Sequence, residues 1–148
     1  MDLQIDDFHR DLAAALLSLY QSFPRRVALY VEDLAGPEAP DEFGLPSPRH
    51  QACLGALLWL ADEGYLRYES RIGHQALDQA VLTEKAFLRL ATPRAVQGDT
   101  ECDLPPSVRR QRGTLAFRLR QALKAADGER LGELCRQLLG ANATGGAA

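Results

Sequence analysis

Apolar residues recur at helical spacing in several separate stretches of this chain. Phe8, Leu12, Ala15, Leu16, Leu19, Tyr20 and Phe23 repeat at i, i+3, i+4, which predicts a core helix that Pro24 ends. Cys53, Leu54, Leu57, Leu58, Ala61 and Tyr65 keep the same rhythm after Ser47-Pro48. The Ser47 side-chain oxygen suits an N-cap, Pro48 suits the first helical position, and Gly64 suits the stop. Tyr65 to Glu69 then alternates in character, as a strand does, and Ser70 to Gln75 contains Gly73 and can turn. Leu77 to Leu82 returns as a second strand. Thr83 caps a helix over Glu84 to Ala91, with Ala86, Phe87, Leu90 and Ala91 inward. Near the C-terminal end Leu115, Leu119, Ala122, Leu123 and Ala126 follow Thr114, and Leu131, Leu134, Cys135, Leu138 and Leu139 follow Asp127-Gly128. These two stripes predict an αα-hairpin that Gly140 ends.

Between the first two helices, Arg25 to Gly36 fits two periods. Val27, Leu29 and Val31 alternate like a strand, whereas Val27, Tyr30, Val31 and Leu34 fit a helix better, and a short helix is expected. The loop Gly36 to Pro46, GPEAPDEFGLP, is acidic and rich in proline and glycine; Phe43 and Leu45 are expected to tuck it onto the core. Thr92 to Pro106 reads as a second loop.

The order helix, strand, tight turn, strand, helix over Ser47 to Leu90 resembles winged helix-turn-helix transcription regulators. Glu63-Gly64-Tyr65-Leu66 matches the "EGYL" that many of them write after the recognition helix. Val81-Leu82-Thr83-Glu84-Lys85-Ala86 matches the "LTEKG" after the wing, with Ala86 where that pattern has glycine. The resemblance implies a mainly α (α+β) fold: a winged-helix core with a small β-hairpin wing, followed by a C-terminal α-helical hairpin. The expected divisions are a winged-helix domain over 1–93, a linker loop over 94–113, the hairpin over 114–140 and a disordered tail over 141–148. The Gly36 to Pro46 loop is longer than the turn between the helices of a helix-turn-helix.

Composition narrows the chemistry. The chain has 148 residues, 46% hydrophobic and 25% charged, enough for one domain with an appendage. Cys53, Cys102 and Cys135 are odd in number and widely spaced, which argues against a disulfide framework or a cysteine zinc site and fits a reducing, cytoplasmic setting. The first residues carry Asp2, Asp6 and Asp7 and no apolar run, unlike a signal peptide. The longest apolar stretch, Ala52 to Ala61, is too short to cross a membrane. His9, His50 and His74 show no metal spacing, and no nucleophile elbow or phosphate loop is present. No enzyme activity, cofactor, metal or small-molecule ligand is therefore expected.

The net charge of −3 is uneven: −6 over residues 1–46, 0 over 47–93 and +3 over 94–148. Acidic balance opposes nonspecific DNA binding, which needs Lys and Arg on phosphates. The resemblance nevertheless implies a DNA-associated regulator. Arg49, His50 and Gln51 would then meet bases from the recognition helix, Arg67, Arg71 and His74 would act from the wing, and Arg109, Arg110 and Arg112 would add backbone contacts. The alternative is a winged helix reused as a protein-interaction or dimerisation module. On a helical wheel, the face opposite Leu54 and Leu57 carries Ala52, Gly55, Ala56, Trp59 and Glu63, with Gln51 and Asp62 beside it. That face has few hydrogen-bonding groups for a major groove and one aromatic anchor for a protein. Trp59 is either that anchor or a core residue. Leu131, Leu134 and Leu138 are the expected dimer contacts, and a homodimer or other protein partner is expected.

Overall fold

The computed structural model describes residues 3–37, 40–93 and 104–145. Helix α1 (Leu3–Ser22) leads into β1 (Val27–Tyr30), α2 (Val31–Ala35) and α3 (Pro48–Asp62). Strands β2 (Leu66–Arg67), β3 (Ser70–Ile72) and β4 (Ala76–Leu82) follow, then α4 (Glu84–Ala91), α5 (Pro106–Arg112), α6 (Leu115–Ala125) and α7 (Gly128–Gly145). The architecture is mixed α+β: helices around a small antiparallel sheet. Among the described residues, no helix is long and apolar enough to cross a membrane.

Local chemistry sets the boundaries. Ser47, Thr83 and Thr114 each accept a hydrogen bond from the N–H three residues on, capping α3, α4 and α6. Asp127 does the same for α7, accepting from the Arg130 N–H at 3.1 Å. Gly64, at φ +80°, releases the chain from α3, a conformation that a side chain would strain.

Strand β4 is the centre of the sheet. It pairs antiparallel with β1 on one side and with β2 and β3 on the other. Against β2 and β3 its register is unbroken, from Leu66↔Leu82 to Ile72↔Ala76. Against β1 it shifts between Val27↔Ala80 and Leu29↔Leu77, and Gln79, at φ +55°, lies in this irregularity. The β3–β4 turn is tighter than the Ser70–Gln75 span expected: the Gln75 N–H donates to the Ile72 carbonyl at 2.9 Å, with Gly73 at φ +52°.

Four expectations are corrected here. Arg25 to Gly36 is not one helix. Its first half pairs with β4 and its second half coils, so both competing periods are used, one after the other. The 94–113 linker contains α5; residues 94–103 of it, with Cys102, lie outside the described residues. Helix α7 runs through Gly140 to Gly145, where a stop and a disordered tail were expected, and residues 146–148 lie outside the described residues. Phe43 and Leu45 do not tuck inward but stand exposed.

The C-terminal hairpin is core, not appendage. Leu131, Leu134, Cys135 and Leu138 are buried with Leu12, Leu16 and Leu19 of α1 and Leu119 of α6 in one continuous cluster. The stripe expected at a dimer interface is thus covered within the chain. A second link lies at Tyr65. Its hydroxyl accepts from Arg89 Nη1 at 2.8 Å and lies 3.4 Å from the Leu139 carbonyl, while Arg89 Nη1 also donates to the Leu138 carbonyl at 2.9 Å. The Lys85 ammonium sits 4.2 Å from the centre of the Tyr65 ring. The hairpin is therefore bound to the β2 and α4 region by polar contacts as well as by burial.

Candidate functional site

Helix α3 holds Arg49, His50, Gln51 and Trp59 of the residues singled out from the sequence, and its first turn is already occupied. Asp11 of α1, 1% exposed, accepts two hydrogen bonds from the Arg49 guanidinium, at 2.7 and 2.5 Å. The fork geometry is bidentate, and it holds Arg49 above its usual pKa, the hydrogen bond to Asp11 being the largest cause. Cys53 lies on the same side, and its thiol is pushed up to about 12, chiefly by burial and then by the Asp11 charge. His50 is buried, and its backbone N–H donates to Ser47 Oγ at 3.2 Å. Of the three residues expected to face bases, Arg49 is partly exposed but paired with buried Asp11, and His50 is buried. Gln51 remains exposed and donates through Nε2 to the Pro46 carbonyl at 2.8 Å.

The outward face of α3 is made of Gln51, Ala52, Gly55, Trp59, Asp62 and Glu63. Ala56, expected on this face, is buried. Trp59 is neither core nor free: it is 39% exposed and packs edge-on against Phe8, the ring centres 5.4 Å apart and the planes at 85°. Ile5 precedes Phe8 by three residues on α1, hence on the same helical face, and is exposed. Ile5, Phe8 and Trp59 thus extend the α1 stripe beyond the core onto the surface, beside the small residues Gly55 and Ala52. Asp62 and Glu63 place negative charge at one end of this patch.

The β-hairpin carries the other expected residues. Arg67 and Arg71 are exposed, on β2 and β3. Between them in the chain, Glu69 accepts a hydrogen bond from Arg26 at 2.8 Å, so positive charge along this edge is interrupted. His74 is exposed in the β3–β4 turn and lines a cavity of about 350 Å³ with Ile72 and with Pro40, Gly44 and Pro46 of the preceding loop. The acidic loop therefore lies against the hairpin tip. Asp41 Oδ1 accepts from the Phe43 and Leu45 N–H groups, both at 2.9 Å, which fixes a carboxylate there. Arg49 is thus engaged by Asp11, whereas Arg67 and Arg71 are exposed on the hairpin.

Sequence reasoning missed Asp11 and the Tyr65–Arg89 link. The available signal for Asp11 was a carboxylate beside Leu12 inside an apolar stripe, which requires a cation from another element. Arg89 gave no such signal, because its partners are the Tyr65 hydroxyl and the Leu138 backbone carbonyl of α7. Compared with known protein families, with characterised proteins and with solved structures, the chain gives no match.

Proposed function

We propose that this chain is a winged-helix protein-interaction module, an adaptor or accessory subunit that docks a partner on the outward face of α3. The element order α1-β1-α2-α3-β2/β3-β4, with an antiparallel sheet beside α3, supports the winged-helix reading. The carrying observation is how α3 spends its side chains: Asp11 holds Arg49, His50 is buried, and Trp59 stands 39% exposed beside Gly55 and Ala52. A DNA reader needs hydrogen-bonding side chains on that face. A protein interface needs an aromatic anchor among small residues that allow close approach. The acidic Asp62 and Glu63 suit a partner segment that is apolar on one side and basic at its rim.

The test is affinity capture of the protein from its native cells, with and without nuclease, comparing wild type with Trp59→Ala. A partner that survives nuclease and is lost in a folded Trp59→Ala variant supports the module. A partner set that nuclease removes entirely, with Trp59→Ala indistinguishable from wild type, overturns it.

A DNA-associated regulator is the second reading, and the exposure of both Arg67 and Arg71 on the hairpin favours it. Binding to duplex DNA that is abolished in Arg67→Ala/Arg71→Ala would put this reading first.

A further inference from the structure

The small sheet leaves one of its edges without protection. Strand β4 is central, and β1 forms one edge. The opposite edge is blunted: β2 is very short, and Arg67, Glu69 and Arg71 set exposed charged side chains along it. Strand β1 reads VALY, with no charge and no proline. The irregularity of the β1–β4 pair falls on β4, which advances from Leu77 to Ala80 while β1 advances only from Leu29 back to Val27. The edge strand itself stays regular. Its outward groups follow from the pairing. The Val31 N–H donates to the Gln75 carbonyl at 2.8 Å, Leu29 lies opposite Leu77, and Val27 lies opposite Ala80. Successive residues of a strand turn their N–H and C=O groups to opposite sides. Val27, Leu29 and Val31 therefore face β4, and Arg26, Ala28 and Tyr30 face away. Among the described residues, no strand pairs with that outer side. The flanks carry opposite charge: Arg25-Arg26 precede β1, Glu32-Asp33 follow it, and all four are exposed.

We propose that the β1 edge pairs antiparallel with the β1 edge of a second copy of this chain, about a two-fold axis normal to the sheet at Ala28. The argument for a second copy is charge. The order basic, apolar, acidic over Arg25 to Asp33 is its own complement when reversed. Antiparallel pairing brings Arg25 and Arg26 of each copy to the end where Glu32 and Asp33 of the other stand. A foreign extended peptide would need that same order by coincidence. An axis normal to the sheet also keeps both cores on one side of the joined sheet. In this register the Ala28 N–H donates to the Ala28 carbonyl of the second copy, and the Tyr30 N–H donates to the Arg26 carbonyl of the second copy, each in both directions. The Tyr30 carbonyl is left to start α2, as an N-cap carbonyl does. Ala28 leaves room at the axis, and Tyr30, 41% exposed, lies beside it on the outer face. Arg26 already donates to Glu69 at 2.8 Å, so Arg25 carries the ion pairing with Asp33 of the second copy. The leucines first expected to join copies, Leu131, Leu134 and Leu138, are buried and take no part. The outward face of α3 takes no part either. A short edge without an apolar interface core makes a weak dimer, with a dissociation constant on the order of tens of micromolar.

The test is sedimentation velocity of the full chain from about 5 to 200 μM, a range that brackets a weak interface. The 16.3 kDa species should convert with concentration to one of twice the mass. Arg25→Glu and Asp33→Arg, both at exposed positions, should each weaken the homodimer by at least about tenfold, because like charges then meet at both ends. An equimolar mixture of the two variants should dimerise again, since each restores the partner that the other lacks. Ala28→Pro removes an outward N–H and should leave a monomer with its thermal unfolding intact. If Ala28→Pro fails to fold, the two charge variants and their mixture decide alone. Amide exchange at Ala28 and Tyr30 should slow as concentration rises. A chain that stays monomeric at about 200 μM overturns the proposal. So does a dimer indifferent to both charge variants, a mixture no more dimeric than its components, or a dimer lost in Trp59→Ala, which would place the contact on α3. Trp59→Ala should dimerise as wild type does, so this proposal and the adaptor reading fail separately.

Discussion

Asp11 and Arg49 show how one tertiary contact changes the meaning of a residue. The winged-helix resemblance implied a base contact for Arg49 in the first turn of α3. Thirty-eight residues upstream sits the carboxylate that takes it, and no local pattern connects the two. Removing one partner of a buried pair leaves the other charge uncompensated, at a cost of about 3–5 kcal/mol. The Arg49 side chain is 34% exposed and can reach water, whereas Asp11 cannot. Arg49→Ala should therefore destabilise by roughly 3 kcal/mol or more, and Asp11→Ala by less, in urea unfolding. Equal losses, or losses below about 1 kcal/mol, would mean that the pair contributes no more than a surface bridge. The thiols give a second check. Burial pushes both Cys53 and Cys135 up to about 12. At pH 8 only about one in ten thousand is then thiolate. Neither should react with a thiol reagent in the folded protein, and both should after denaturation, as peptide mapping would show. His9 adds a pH dependence. Burial, and then Arg136, lower its pKa below the usual 6.5, with Asp6 opposing. The unfolded chain therefore binds more protons than the folded one below about pH 6.5, so stability falls as pH drops through that window. His9→Gln should reduce the fall measured between pH 7 and 5.

Elements were more readable than contacts, because their causes are local. The caps at Ser47, Thr83 and Thr114 and the stop at Gly64 follow from side-chain oxygens and a missing Cβ, and each appears where the pattern put it. Val27 to Ala35 was not readable as one element because it is two, and the boundary at Tyr30–Val31 is set by pairing with β4 rather than by composition. Helix α5 escaped for another reason: seven residues with three arginines and no buried side chain have no apolar period to detect. Helix α6 offers a direct test of local energetics. It ends at Ala126, exposed and left-handed at φ +53°. That conformation costs a residue with a Cβ roughly 1–2 kcal/mol, against roughly 0.5–1 kcal/mol of extra unfolded-state entropy for glycine. Ala126→Gly should accordingly stabilise the protein by about 0.5–1 kcal/mol. A loss of stability in thermal unfolding would show that the methyl group makes a contact worth more than the strain.

At the scale of the whole molecule, the helix stripes identify which residues are apolar but not what covers them. Leu131, Leu134 and Leu138 could serve an interface between copies or a face inside one chain, and periodicity is the same for both. The structure places them against α1, which is covered on its other flank by α3, so α1 is the shared wall of a single core. The candidate site was less readable than the fold for the same reason. Trp59 drew attention by its chemistry, but its partial exposure depends on Phe8 arriving from α1. If the core is indivisible, the chain cannot be shortened to the part that resembles a winged helix. Leu134→Ala should cost about 2–5 kcal/mol, as for any fully buried leucine. Truncation after Gly113 removes α6 and α7 together, uncovering Leu12, Leu16 and Leu19 and leaving Arg89 without the Leu138 carbonyl. That fragment should lose cooperative thermal unfolding by circular dichroism and should sediment as aggregate. A folded, monomeric fragment 1–113 would instead show that α6 and α7 are a separable module, and would return their leucines to the list of surfaces through which this chain meets a partner.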